Sequence, residues 1–74
     1  NIGHCHPKVV AAIQEQAAKL THTCFMVNPY ESAVRLAEKL CRIAPGDTPK
    51  KAVFLNCGAE AVEIALKTAR YATK

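Results

Sequence analysis

The sequence predicts an α/β fold with the element order helix, helix, strand, helix. Three stretches repeat apolar residues every three or four positions, which indicates amphipathic helices over residues 7–20, 29–43 and 59–73. Between the last two lies a run of four consecutive apolar residues, which is typical of a strand covered on both faces and predicts a strand over residues 51–56. Since one strand cannot form a sheet, its neighbours are expected from chain outside these residues.

The composition is that of a globular protein, with 50% hydrophobic and 22% charged residues among 74. A chain of this length buries only about 60% of its unfolded surface, so a domain built from it alone would be marginal. The chain opens at Asn1 without an initiator Met, and no signal peptide is expected. We therefore expect a fragment of a larger domain.

Charge and cysteine content narrow the class of protein. The net charge is +4, but the basic residues are scattered and do not alternate with aromatic ones, so nucleic acid is not an expected partner. No apolar run reaches the roughly 18 residues that a membrane span needs. The four cysteines form no C-x-x-C pair, which favours reduced thiols in a cytoplasmic protein.

The first predicted helix begins at Pro7, whose fixed φ and missing N–H suit the first helical position, with His6 near the N-cap. Two histidines flank a cysteine just before it, and a metal site that also uses His22 and Cys24 is one interpretation. His4 and His6 alone do not complete a tetrahedral set of ligands. A loop that starts a helix is the simpler interpretation, and no metal is expected.

The second predicted helix has a strong start signal. Asn28 can cap it, Pro29 suits the first helical position, and Glu31 stands where a capping box has its acidic residue. Pro45 and Gly46 are expected to end it.

The turn at residues 57–59 carries the functional argument. A strand that runs through glycine into a helix presents backbone N–H groups without helical partners, and the helix dipole favours an anion there. Gly58 allows close approach of a ligand to the backbone, so a phosphate is expected on the amides of Gly58 and Ala59. The nearby carboxylates of Glu60 and Glu63 would compete with that phosphate unless they point away from it.

The third predicted helix carries one apolar stripe and an ion pair. Glu63 and Lys67 are spaced for a favourable i, i+4 pair. Lys67 is on the polar side and is not a candidate catalytic lysine. The apolar stripe consists of Val62, Ala65, Leu66 and Ala69.

Residues 56–63 read Asn-Cys-Gly-Ala-Glu-Ala-Val-Glu, and residues 2–7 read Ile-Gly-His-Cys-His-Pro. The first stretch resembles the Asn-(Ser/Thr)-Gly-x-Glu-Ala-x-Glu signature of the class III aminotransferases, and the second resembles their Gly-His-x-His-Pro loop. The resemblance covers essentially the whole chain, in order. Within the family the chain is most similar to the 4-aminobutyrate aminotransferases, mainly through residues 22–25 and the Pro-Gly-Asp turn.

The resemblance implies part of a fold type I enzyme that depends on pyridoxal phosphate (PLP). Residues 1–74 would be a partial domain of its α/β large domain, and the enzyme would be a homodimer. The implied reaction moves an amino group from an ω-amino acid, 4-aminobutyrate above all, to 2-oxoglutarate. An acetylornithine or ornithine aminotransferase of the same family is one alternative. A small helical binding module without enzymatic activity is another.

The resemblance also assigns residues. Gly58 and Ala59 match the positions whose backbone N–H groups hold the PLP phosphate. Cys57 is the third cofactor-binding candidate, at a position where the family usually has Ser or Thr. A thiol is a weaker donor than a hydroxyl, so Cys57 packing the turn is an alternative, and a reactive thiol is another. Met26 is a candidate for the substrate wall, with a packed loop as the alternative.

No catalytic residue is assigned within the chain. In the family, the lysine that forms the Schiff base and the residues that bind the substrate carboxylate lie far downstream of these motifs. The isolated chain is therefore expected to be inactive.

Overall fold

The computed structural model describes residues 1–74 and contains three α-helices and no strand. Helix α1 spans Pro7–Lys19, α2 spans Glu31–Ile43 and α3 spans Gly58–Ala72. The chain divides into two compact units, Asn1–Val34 and Arg35–Lys74.

Helix α1 begins as its sequence predicts. Pro7 is the first helical residue and His6 is the N-cap, whose Nδ1 accepts a hydrogen bond of 3.2 Å from the backbone N–H of Lys8. The predicted N-cap is therefore confirmed. The helix ends at Lys19 because Leu20 adopts an extended backbone, while its N–H still donates to the Gln16 carbonyl at 2.9 Å.

Helix α2 begins later than the sequence indicates, and the predicted capping box at Asn28 is wrong. The N–H of Asn28 donates to the Cys24 carbonyl at 2.9 Å and so closes a turn that precedes the helix. An edge-to-face contact of 5.5 Å between the rings of Phe25 and Tyr30 holds the following residues against this turn. Helical structure therefore starts at Glu31, two residues after Pro29.

The strand predicted over residues 51–56 is not formed, so the order helix, helix, strand, helix is replaced by three helices. A strand is completed by hydrogen bonds to a neighbouring strand. No backbone group of residues 51–55 makes such a bond within the chain. The loop before this stretch is tied by Lys50, whose Nζ donates to the carbonyls of Gly46 at 2.6 Å and Thr48 at 3.0 Å.

The apolar stripes of the helices are exposed, and no side chain of the chain is fully buried. Ile13 of α1 is 62% exposed, and Val62 and Leu66 of α3 are each 61% exposed. Burial of such side chains is the main source of tertiary stability. Covering these helix faces with further protein would therefore stabilise the fold. None of the helices has the length and the apolar character that a membrane crossing requires.

Candidate phosphate-binding turn

The start of α3 leaves a set of backbone donors free. Cys57 is the N-cap, with an extended backbone at φ −153° and ψ 170°. The first hydrogen bond of the helix runs from the N–H of Ala61 to the Cys57 carbonyl at 3.1 Å. The N–H groups of Gly58, Ala59 and Glu60 precede that bond and donate to no group of the chain. Three donors therefore converge at the positive end of the helix dipole.

Access to these donors depends on Gly58. A Cβ built at this position would meet no atom within 4 Å, so the space beside the backbone is open. Gly58 is the first residue of α3, and its backbone is helical rather than left-handed. Glycine is therefore not required here by the backbone conformation. Its contribution is to leave room for a ligand atom next to the peptide.

The start of α1 does not offer the same donors. Pro7, its first helical residue, has no N–H, and the N–H of Lys8 already donates to His6. The side chain of Cys57, by contrast, makes no capping hydrogen bond to α3. The two helix starts therefore differ in what they leave for a ligand.

Glu60 has a position that the sequence left open. Its Oε2 accepts a hydrogen bond of 2.9 Å from the backbone N–H of Asn56, so the carboxylate is anchored on the residue before the N-cap. The sequence pattern predicted that Glu60 competes with a phosphate unless its side chain points away, and it did not predict this hydrogen bond. An acidic residue at the third helical position is a signal for such a backward hydrogen bond, and it could have found this role.

The second acidic residue is engaged farther along the helix. Glu63 forms an ion pair with Lys67 at 2.9 Å, and both side chains are 65% exposed. This predicted pair is confirmed. Lys67 lies nine residues beyond Gly58 in α3, a rise of about 14 Å along the helix axis.

The remaining candidates are placed as follows. Cys57 is exposed and is a free thiol, directly before Gly58 and Ala59. Met26 belongs to the other unit, where it is 93% exposed in the turn that Cys24 closes. Three of the predicted site residues therefore lie together at the start of α3.

The metal interpretation of the histidines finds no cluster in the structure. No group of three or more His, Cys, Asp or Glu side chains could hold a metal ion. The Nδ1 atom of His6 already accepts the hydrogen bond from Lys8.

A helix start with free amides and an approachable glycine is the arrangement by which proteins bind phosphate groups. The start of α3 is therefore a candidate phosphate-binding turn. The sequence model of the class-III aminotransferase family matches residues 1–74, and the chain belongs to that family. Family membership implies the fold type I architecture of PLP enzymes, of which this chain contains three helices.

Several relatives are similar over the whole chain. The 5-aminovalerate aminotransferase DavT of Pseudomonas aeruginosa is 56% identical over 73 residues, which are 99% of this chain and 17% of the relative. A probable 4-aminobutyrate aminotransferase of Bacillus subtilis is 60% identical over 74 residues, 100% of this chain and 17% of the relative. The 4-aminobutyrate aminotransferase GabT of Escherichia coli is 53% identical over 74 residues, again 17% of its length.

Class III aminotransferases generally use PLP, and the start of α3 fits its phosphate. The fit rests on the free amides of Gly58 and Ala59 and on the open space where a side chain of residue 58 would stand. The chain spans 17% of the length of these relatives, so it carries only a part of what such an enzyme contains.

Proposed function

We propose that these residues are a segment of a PLP-dependent aminotransferase that moves an amino group from an ω-amino acid to 2-oxoglutarate. The family match over the whole chain is the observation that carries the proposal. The free amides at the start of α3 support it independently, because they could bind the phosphate of the cofactor in such an enzyme.

That task is to hold the cofactor by its phosphate. The N–H groups of Gly58 and Ala59 would hold the phosphate, and the positive end of α3 would favour its negative charge, with Cys57 at the edge of the turn. When bound, PLP supplies the electron sink through which an amino group is exchanged. This segment would fix the cofactor's position, while the lysine that carries the cofactor lies in the remainder of the enzyme.

The proposed amino donor is 4-aminobutyrate or a homologue with the amine at the far end of the carbon chain. Relatives of this chain are named for 4-aminobutyrate and for 5-aminovalerate, which differ by one methylene. One methylene in an apolar pocket is worth about 1–3 kcal/mol, so both donors are expected to react at different rates. Met26, with its exposed and flexible thioether chain, is proposed to line the substrate wall.

The enzyme is proposed to be a homodimer of the cytoplasm. The four cysteines are all free, as expected in a reducing compartment. The exposed apolar stripes of the helices support packing against further protein, whether of the same chain or of a second copy.

The test is made on the full-length gene product that contains these residues. We expect it to bind PLP with a visible absorbance band that borohydride bleaches, and to transaminate 4-aminobutyrate with 2-oxoglutarate. Parallel assays use 5-aminovalerate, acetylornithine and ornithine as donors. A higher kcat/KM for acetylornithine or ornithine would move the proposal to that branch of the family.

A second arm uses the 74-residue chain alone, which we expect to show no transamination with added PLP. Turnover by this chain would contradict the assignment of the catalytic lysine to the rest of the enzyme. If the gene product binds no PLP and the short chain unfolds cooperatively as a stable monomer, the non-enzymatic binding module would replace the proposal.

A further inference from the structure

The chain before α3 is held by one side chain. The N–H of Asn56 donates to Oε2 of Glu60 at 2.9 Å, which closes a loop across the three residues between them. Cys57, at the N-cap, makes no side-chain hydrogen bond to the helix. The Glu60 side chain thus links Asn56, which precedes α3, to the first turn of the helix.

The loop closed by this hydrogen bond contains the amides that the proposed function assigns to phosphate. Glu60 takes up the N–H of Asn56, while the N–H groups of Gly58 and Ala59 stay free. We infer that Glu60 is a positioning residue for the phosphate, which fixes the turn so that these amides face the ligand before it binds. The inference rests on the proposed function.

The physical reason is preorganisation. A turn that is ordered only when the ligand arrives loses conformational freedom at that moment, and the loss weakens binding. The hydrogen bond from Asn56 to Glu60 orders the turn in advance. The same side chain also has an opposing effect, because the negative charge of its carboxylate repels a phosphate nearby. The acceptor atom of Glu60 favours binding, and its negative charge opposes binding.

These two effects can be separated by substitution. Glu60→Gln keeps an oxygen that can accept from Asn56 and removes the charge. Glu60→Ala removes both. Glu63→Gln is the matched control, because it removes one carboxylate from the same helix, where the side chain pairs with Lys67 instead of with the turn.

The experiment measures dissociation constants of PLP and of inorganic phosphate for the full-length apoprotein, with thermal unfolding in parallel. We expect Glu60→Ala to weaken both ligands by about fivefold, the loss that corresponds to one capping hydrogen bond. Glu60→Gln is expected to bind as tightly as the unsubstituted protein or more tightly, and Glu63→Gln to bind as the unsubstituted protein does. If Glu60→Ala does not fold, Glu60→Asp replaces it, since it keeps the charge but is one methylene shorter.

Other outcomes overturn the inference. Unchanged affinity in Glu60→Ala with a lower melting temperature would reduce Glu60 to a helix cap. Tighter binding by both Glu60→Ala and Glu60→Gln would mean that the charge alone matters. If the protein binds inorganic phosphate but not PLP, the proposed function fails and the phosphate series still decides the role of Glu60. If it binds neither ligand, both proposals fail.

Discussion

Replacing Gly58 by alanine separates ligand binding from folding. The added Cβ meets no atom within 4 Å, and the residue is already helical, so the protein accommodates the methyl group. Alanine also restricts the unfolded chain more than glycine does, which is worth about 0.4–1 kcal/mol at a compatible site. We therefore expect Gly58→Ala to keep or raise the free energy of unfolding.

Binding of phosphate is expected to change in the opposite direction. Each Cα–Cβ bond of a helix tilts toward the helix N-terminus, so at the first position the methyl group stands where a ligand would approach the free amides. A hydrogen bond to a charged group is worth about 1.5–3 kcal/mol. Loss of one such bond lowers the affinity for PLP by about 10- to 150-fold.

The assay is a titration of the full-length apoprotein with PLP, followed by cofactor absorbance, together with thermal unfolding without ligand. Gly46→Ala is the control. Gly46 has φ of +93°, a conformation that costs alanine about 1 kcal/mol or more, so this variant should melt lower and bind PLP normally. Gly58→Ala with unchanged affinity for PLP would refute the assignment of these amides to the phosphate.

Three further predictions concern the helices. Cys57→Ser supplies the missing side-chain cap of α3 and should raise the free energy of unfolding, measured by denaturant titration, by about 0.5–1 kcal/mol. The affinity for PLP should not fall. A loss of stability would contradict this account of the cap. Lys67→Met breaks the exposed pair with Glu63, which is worth at most about 0.5 kcal/mol, and should leave the borohydride-trapped cofactor in place; loss of trapping would make Lys67 a catalytic candidate. The hydrogen bond from Lys19 and its positive charge lower the pKa of Glu15. The pair therefore stabilises α1 at pH values above the ordinary pKa of the carboxyl, and this stabilisation is lost as the pH falls through the lowered pKa. An NMR titration should find the pKa of Glu15 restored toward its ordinary value in Lys19→Met, and an unmoved pKa would exclude Lys19 as the cause.

The helices and the free amides at the start of α3 are predictable because the hydrogen bonds of a helix are local. Each helical N–H bonds to a carbonyl four residues earlier, so the periodicity around Val9 and around Val62 is sufficient to locate α1 and α3. The free amides of Gly58 and Ala59 follow from the same rule, because the first residues of a helix have no earlier helical carbonyl. The N-cap at His6 is local in the same sense.

Other features depend on groups that the local pattern does not identify. Asn28 satisfied every sequence rule for a cap, yet its N–H closes the turn at Cys24 and the ring of Tyr30 packs on Phe25, so α2 starts at Glu31.

The sequence by itself determined the three helical segments and the family, and it located the candidate phosphate turn at the start of α3. Only the three-dimensional structure decided where α2 starts and that residues 51–55 have no strand partner. A strand needs backbone groups from elsewhere, and a side chain chooses among rotamers by the donors around it. The periodicity of a segment predicts neither its strand partner nor the rotamers of its side chains.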